Sequence, residues 1–377
     1  MEKKEEIIKN KSRNSGIEIL KIIAIILIVI SHVTQTLYSN NPIFSNEYVL
    51  EVRYSSKNIQ HLILAWFSTF GAHGNLIFFV SSAWFLLESK RNNIKKILYI
   101  LFDVWIISIL FLIIFKSINF YPISLREIIK NIFPTTFSLN WYITCYLLLY
   151  IIHLYLNEII YKRTKKELLI CILIMFILYQ GINYIHYGHF FTSLLIEFIV
   201  IYFEVAYVKL YLIKYSKNKK INILIFLFSV IAIPILILLT NFLGMYVSFF
   251  NGRLQSYGGN HSPFILMIAI CLFNIFKELR FYNKTINFIS SMSLLIYIIH
   301  ENYFIREYLR PNIWIYFYKN YGYENVVIID LLISIFIFLI SILISILYKK
   351  FLQSKFHSSI DTVCNLILDK YNKINIK

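Results

Sequence analysis

Charge is scarce in this chain of 377 residues: 15% are Asp, Glu, Lys or Arg, against about 25% in a water-soluble globular domain. Helix breakers are few as well, with 10 glycines and 6 prolines, and no internal repeat or Pro/Gly/Ser-rich linker stands out. A carrier built from Pro/Gly-broken helices in two symmetric halves would show more of both features. The four cysteines, Cys145, Cys171, Cys271 and Cys364, form no CxxC pair, and three lie inside apolar runs. They suit buried small hydrophobes and give no disulfide framework and no zinc site. The nine histidines show no i, i+4 pairing, so no metal is expected. A P-loop and a dinucleotide fingerprint are both missing.

What is abundant is apolar. Hydrophobic residues make up 58% of the chain, and mean hydropathy is +0.66. A helix needs roughly 20 residues to cross a bilayer core of ~30 Å, and the apolar blocks reach that length. Ten spans are expected, at 17–38, 60–87, 97–116, 139–157, 168–185, 191–213, 221–240, 262–276, 287–304 and 324–348. The expected fold is therefore all-α, a polytopic transmembrane helix bundle of about ten helices with the lipid bilayer as its partner. The first span follows basic residues as a signal peptide would. No small-x-small cleavage site follows it, and Glu18, Lys21 and His32 flank the stretch, so it reads as retained.

The net charge of +17 does not point to nucleic acid, because the cations sit between spans. Lys3, Lys4, Lys9, Lys11 and Arg13 precede the first span. Lys90, Arg91, Lys95 and Lys96 follow the second, and similar clusters follow the fourth, sixth, eighth and tenth. The alternate loops are nearly bare. By the positive-inside rule both termini are cytoplasmic, which demands an even number of spans. Residues 1–350 form one transmembrane domain. Residues 351–377 form a cytoplasmic tail in which Ile360, Val363, Cys364, Ile367, Tyr371 and Ile374 recur at helical spacing, as in an amphipathic helix on the inner leaflet; a frayed end is the alternative.

Ionisable groups inside spans are costly and mark function by default. Glu18 and Lys21 are i, i+3 and share a helix face. His32 lies eleven residues beyond Lys21, about three turns, and so returns to nearly that face roughly 16 Å deeper. One stripe of the first span is therefore polar, as the wall of a water-accessible pocket would be; snorkelling ends and a structural His32 are the alternative. In the ninth span His300 and Glu301 lie at a depth comparable to His32. Two imidazoles at one depth can face one cavity, take a proton near neutral pH, and be oriented by a carboxylate such as Glu301. The bland alternative places His300 at the outer interface.

The run Arg13-Asn14-Ser15-Gly16-Ile17-Glu18-Ile19-Leu20-Lys21, ending at His32, resembles the first-span signature of membrane acyltransferase family 3, with Lys21 where that family usually has Arg. Asn75–Leu86 resembles its Phe-Phe-x-x-Ser-Gly-x-x-Leu segment, with Ser82 or Ala83 in place of the Gly. The basic run through Lys95 and Lys96, the segment Asn140–Leu147 with Trp141, Ser262-Pro263-Phe264 and the Tyr297…His300 run resemble further segments in order. The resemblance is closest to the bacterial surface-polysaccharide O-acyltransferase branch. It implies transfer of an acyl group, commonly acetyl or succinyl, from cytoplasmic acyl-CoA to a hydroxyl of an envelope glycan in the bacterial inner membrane, with the first-span His most tied to activity.

On this basis the expected catalytic residues are His32, His300 and Glu301, with His32 acting as general base or as acyl-carrying nucleophile. A basic mouth of Arg13, Lys21, Arg91, Lys95 and Lys96, with Glu18, would receive the negatively charged acyl-CoA. Trp141 and Arg253 are the expected acceptor-binding residues, although Arg253 could equally be a solvated loop residue. The competing reading is a carrier or exporter of lipid-linked or polymeric glycan.

Overall fold

The structure is a computed structural model that describes residues 13–37, 59–119, 121–185, 194–250, 253–254 and 256–375. The described residues are helical throughout, with no strand. Seven helical segments are long and apolar enough to cross a membrane, and an eighth is counted if a bent pair is one span. The seven are α1 (Ser15–Thr36), α2 (Ile59–Leu86), α3 (Ile94–Ser117), the helix Trp141–Tyr161, the helix Lys219–Gly244, a segment ending in the helix Pro263–Lys277, and the long C-terminal run from Tyr323. A short helix, α4 (Leu125–Ile132), follows α3, and Trp141–Tyr161 is α5.

Two of the ten expected spans fall short for identifiable reasons. The segment 168–185 lies on α6 (Lys165–Met175), which runs into a π-helical turn at Phe176–Gly181 and then four further helical residues. The segment 191–213 lies on α7 (Leu194–Tyr211), which carries Glu197, Glu204 and Lys209. Three charges in a length of 18 residues are more than an unassisted span tolerates. Its half-buried Glu204 accepts a hydrogen bond from Gln180 Nε2 at 3.1 Å, so the two segments pack as a pair.

Beyond them come α8 (Lys219–Gly244), α9 (Pro263–Lys277), α10 (Lys284–Ser290), α11 (Ser293–His300), α12 (Arg310–Tyr321), α13 (Val326–Tyr348) and α14 (Ser354–Asn375). α1 is the centre of the bundle. Its start is fixed by polar side chains: Asn14 caps the helix by accepting from Gly16 N, and Ser15 Oγ reaches Asn287 Oδ1 at 2.8 Å and accepts from Asn283 N at 2.7 Å on α10. Its long contact is with α2. A Cβ on Gly74 would collide with the Ala24 carbonyl, and one on Gly71 with Ser31 Oγ. Glycine at these positions lets the two backbones approach as closely as small-residue interfaces in membranes allow. Ser31 Oγ donates to Ser68 O at 2.6 Å across the same seam.

The expected ninth span, 287–304, is broken. α11 ends at His300, Glu301 and Asn302 leave the helix, a π-helical turn spans Ile305–Leu309, and α12 departs with a bend of 63°. Neither Pro nor Gly lies in the break. It is held instead by Asn302, whose side chain accepts from Phe304 N at 3.1 Å. Non-helical backbone at membrane depth survives only where protein buries it, and Glu301 and Asn302 are both buried here. The Trp314 indole donates to Val33 O at 3.0 Å and ties α12 back to α1. α13 continues through a π-turn at Lys349–Gln353 into α14. This tail docks on α3: Tyr99 donates to Asp361 at 2.6 Å, and the Tyr99 and His357 rings stack at 4.1 Å.

Candidate active site

The break after α11 carries the chemistry. His32 projects from α1 and His300 from the last turn of α11; His32 Nδ1 lies 3.0 Å from His300 Nε2 and 3.1 Å from Glu301 Oε1. The hydrogen bonds fix where the protons sit. His300 Nδ1 is 2.7 Å from the Ile296 carbonyl. A carbonyl only accepts, so His300 Nδ1 carries hydrogen, and the neutral ring presents Nε2 as a lone pair. His32 Nδ1 therefore faces two acceptors, His300 Nε2 and the Glu301 carboxylate, and must itself be the donor. The lone pair of His32 is left on Nε2, which has no hydrogen-bond partner among the described residues. That is a base held in one tautomer by a carboxylate, the logic of a catalytic triad.

Glu301 is 8% exposed, and a charge so placed needs compensation. Arg310 supplies it: Nη2 donates to Glu301 Oε1 at 2.8 Å from a side chain that is 1% exposed. Arg306 Nη1 stands 3.7 Å from Glu301 Oε2 and 3.4 Å from the Leu139 carbonyl. Both arginines come from the π-turn and the start of α12, so the backbone break is what turns them back toward Glu301. The π-turn is anchored from outside by Glu127 of α4, which accepts from Tyr303 at 2.8 Å and from Tyr308. Burial pushes the Glu127 carboxyl up. Hydrogen bonds from Tyr308, Ser124 and Tyr303 outweigh that and hold it below the usual carboxylate range.

Beside His32 lies a pocket of about 290 Å³ lined by Gln35, Ser68, Asn75, Trp141 and Asn260, among others. Asn75 Oδ1 is buried with no hydrogen-bond partner among the described residues. Gly258 lines the wall, where a Cβ would fall on the Thr69 side chain. At the other end of the α1 stripe is a cleft of about 600 Å³, bounded by Arg13, Glu18, Lys21, Lys209, Lys277 and Arg280. Lys21 Nζ is 3.2 Å from Glu18 Oε1, the pairing that the i, i+3 spacing predicts, and Ser290 donates to Glu18 Oε2 at 2.5 Å. Lys277 Nζ stands 4.0 Å over the Trp84 ring. The cleft carries Arg13, Lys21, Lys209, Lys217, Lys277 and Arg280 against Glu18, Glu88 and Glu278, a net positive site.

Of the residues expected from sequence, the structure unites His32, His300 and Glu301, sets Trp141 in the same pocket, and gathers Arg13, Glu18 and Lys21 at the cleft. It places the other three basic residues elsewhere. Lys95 pairs with Asp361 at 3.1 Å on the tail, and Lys96 lies 4.9 Å over the Tyr150 ring. Arg91 is exposed and outside the cleft lining. Arg253 stacks on Phe249 at 3.8 Å and does not line the His32 pocket. Arg306, Arg310, Lys209 and Lys277 were not singled out as site residues, nor were the amides Gln35 and Asn75. A search for uncharged polar residues inside spans would have found Gln35 and Asn75.

The ligand atoms of His32, His300 and Glu301 lie within 4.8 Å of one another and could hold a metal ion. The sequence ground for expecting none, the lack of paired histidines, therefore falls away, because the fold brings distant ones together. Arg310 opposes a dication: its guanidinium already occupies the Glu301 oxygen that faces His32. The trio is satisfied as a hydrogen-bonded group without an ion.

A bundle of apolar helices that holds an oriented imidazole beside a polar pocket is arranged for proton transfer by a base within a membrane protein. Residues 14–349 match the family model described as an acyltransferase domain, and the chain belongs to the acyltransferase 3 family. No curated protein and no solved structure matches it.

Proposed function

We propose that this membrane acyltransferase moves an acyl group, acetyl or succinyl, from cytoplasmic acyl-CoA to a hydroxyl of a cell-surface polysaccharide or other envelope glycan. Ten spans with both termini in the cytoplasm of a bacterial inner membrane suit this reading. The cationic cleft would then open inward, where the donor is made, and the His32 pocket would lie toward the outer face. The observation that carries the proposal is the His32 tautomer: Nδ1–H is held at 3.1 Å from the Glu301 carboxylate, and Nε2 has no hydrogen-bond partner among the described residues.

The phosphates of the donor bind at the cleft through Arg13, Lys21, Lys209 and Lys277, and the acyl arm runs along the α1 stripe toward His32. His32 Nε2 takes the proton of the acceptor hydroxyl as its oxygen attacks the thioester carbonyl. The imidazolium that forms is stabilised by Glu301, whose own charge is steadied by Arg310. Collapse of the tetrahedral adduct breaks the C–S bond, and the proton on His32 passes to the departing thiolate. Arg253 is the weaker candidate for acceptor binding because it stacks on Phe249.

Membrane vesicles supplied with labelled acetyl-CoA and purified envelope glycan test the proposal. Label should pass to the glycan and should be abolished by His32→Ala with protein level unchanged. Undiminished transfer by His32→Ala would refute the role of His32, and glycan export without acyl transfer would favour the carrier.

A further inference from the structure

The pocket beside His32 carries information about the acceptor that the family does not. We infer that it binds a single uncharged sugar residue, one bearing hydroxyls but neither a carboxylate, a phosphate nor a free amine at the ring that is modified. This rests on the proposed glycan acceptor and narrows it. Three observations converge.

The first is charge. Among the described residues that line the pocket there is no Lys, Arg, Asp or Glu; the polar groups are His32, Gln35, Ser68, Thr69, Asn75 and Asn260. An ionised substituent inside a pocket without a counter-charge loses its hydration and gains no partner, a cost that grows steeply with burial. The arginines that neutralise Glu301 do not line the pocket: Arg310 Nη2 pairs with Glu301, and Arg306 with Glu301 and Glu307.

The second is the orphaned amide. Asn75 is 5% exposed and belongs to the pocket lining, and its Oδ1 is covered with no hydrogen-bond partner among the described residues, so that a turn of the amide about its last side-chain bond would bring it to a ligand in the pocket. A buried acceptor left unpaired is unfavourable, and a ligand O–H satisfies it. A hydroxyl beside the one that reacts would dock there while the reacting hydroxyl faces His32 Nε2. The third is shape. The volume, about 290 Å³, falls at the lower end of the roughly 300–1,000 Å³ that small-molecule sites occupy. It suits one ring rather than several, and Trp141 provides an aromatic wall for the apolar face of a sugar.

The location of the acyl group decides the matter. Envelope polysaccharide from cells that make the protein is hydrolysed under conditions that keep esters, and the acylated residue is identified by mass spectrometry. The ester should lie on a neutral hexose or deoxyhexose, with N-acetylated sugars also compatible. An ester on a uronic acid, a phosphorylated sugar or a free amino sugar would overturn the inference while leaving glycan acylation standing. Absence of any protein-dependent ester on the glycan would overturn the glycan acceptor itself, and this inference with it. In vesicles, Asn75→Leu should raise the KM for the glycan about tenfold, the worth of one buried hydrogen bond, with the KM for acetyl-CoA unchanged. An equal rise in both values, or in neither, would remove Asn75 from the acceptor site.

Discussion

Replacing Glu301 with Gln keeps the shape of the site and removes one charge, so it isolates what the carboxylate does. In the resting enzyme the hydrogen bond to His32 survives, because an amide oxygen can still accept from Nδ1–H, while the buried Arg310 loses its counter-charge, a stability cost that normalisation to protein level separates from catalysis. When His32 Nε2 takes the acceptor proton, the ring becomes cationic at 3.1 Å from what was a carboxylate oxygen. At an effective dielectric of about 20, that attraction is about 5 kcal/mol. The mutant also leaves Arg310, 2.8 Å from the same oxygen, as an unpaired cation facing the imidazolium. Part of the loss is recovered by relaxation and by water, so about 4 kcal/mol of transition-state stabilisation is expected to disappear. That is a fall of about 10³-fold in kcat, at about 1.4 kcal/mol per decade. The assay is the initial rate of label transfer from acetyl-CoA to glycan in vesicles, normalised to protein level, with the KM for each substrate. Both KM values should stay near wild type, because the carboxylate acts in the transition state. The double variant His32→Ala, Glu301→Gln should be no slower than His32→Ala alone, since residues acting as a unit are non-additive. A Glu301→Gln enzyme within threefold of wild type, or a double variant much slower than His32→Ala, would refute the assignment of Glu301 as the group that orients and steadies His32.

Three other perturbations test the cleft and the α1–α2 seam. Lys277→Glu reverses a charge in the cationic cleft and should raise the KM for acyl-CoA at least tenfold with little change in the KM for the glycan. The wild-type KM for acyl-CoA should also rise with ionic strength, as screening predicts; steady-state kinetics in vesicles checks both. Gly74→Val forces a side chain onto the Ala24 carbonyl, where even a Cβ does not fit. It should cost about 1–3 kcal/mol from overpacking, seen as a lowered unfolding temperature in detergent, whereas a substitution on the exposed side of α2, such as Phe85→Leu, should leave that temperature nearly unchanged.

Much of this protein is written in short-range pattern. Apolar runs of bilayer length and basic loops make a helical membrane protein inevitable, because hydrocarbon admits only backbone that satisfies its own hydrogen bonds. The Glu18–Lys21 pair and the position of His32 on their face follow from helical periodicity alone. The depth of His300 could be counted from its span, and that count placed it opposite His32.

Other features belong to the tertiary structure. The break at Glu301 has no Pro or Gly to announce it; besides the local bond of Asn302, it is stabilised by the grip of Glu127 on Tyr303 and Tyr308 and by the bond of Trp314 to α1, contacts between elements. That break turns Arg306 and Arg310 back onto a buried carboxylate. The basic cleft is legible as a face but not in its members: Lys95, expected there, is held by Asp361 of the tail, while Lys209, in the last turn of α7, joins it. Loop charge tells which side of the membrane a cation occupies and nothing about its neighbours across the bundle. The proton arrangement of His32, which makes it a base at Nε2, depends on two acceptors brought together from residues 268 and 269 positions away. Local sequence sets what each helix is, and only the packing of helices against one another sets what each side chain faces.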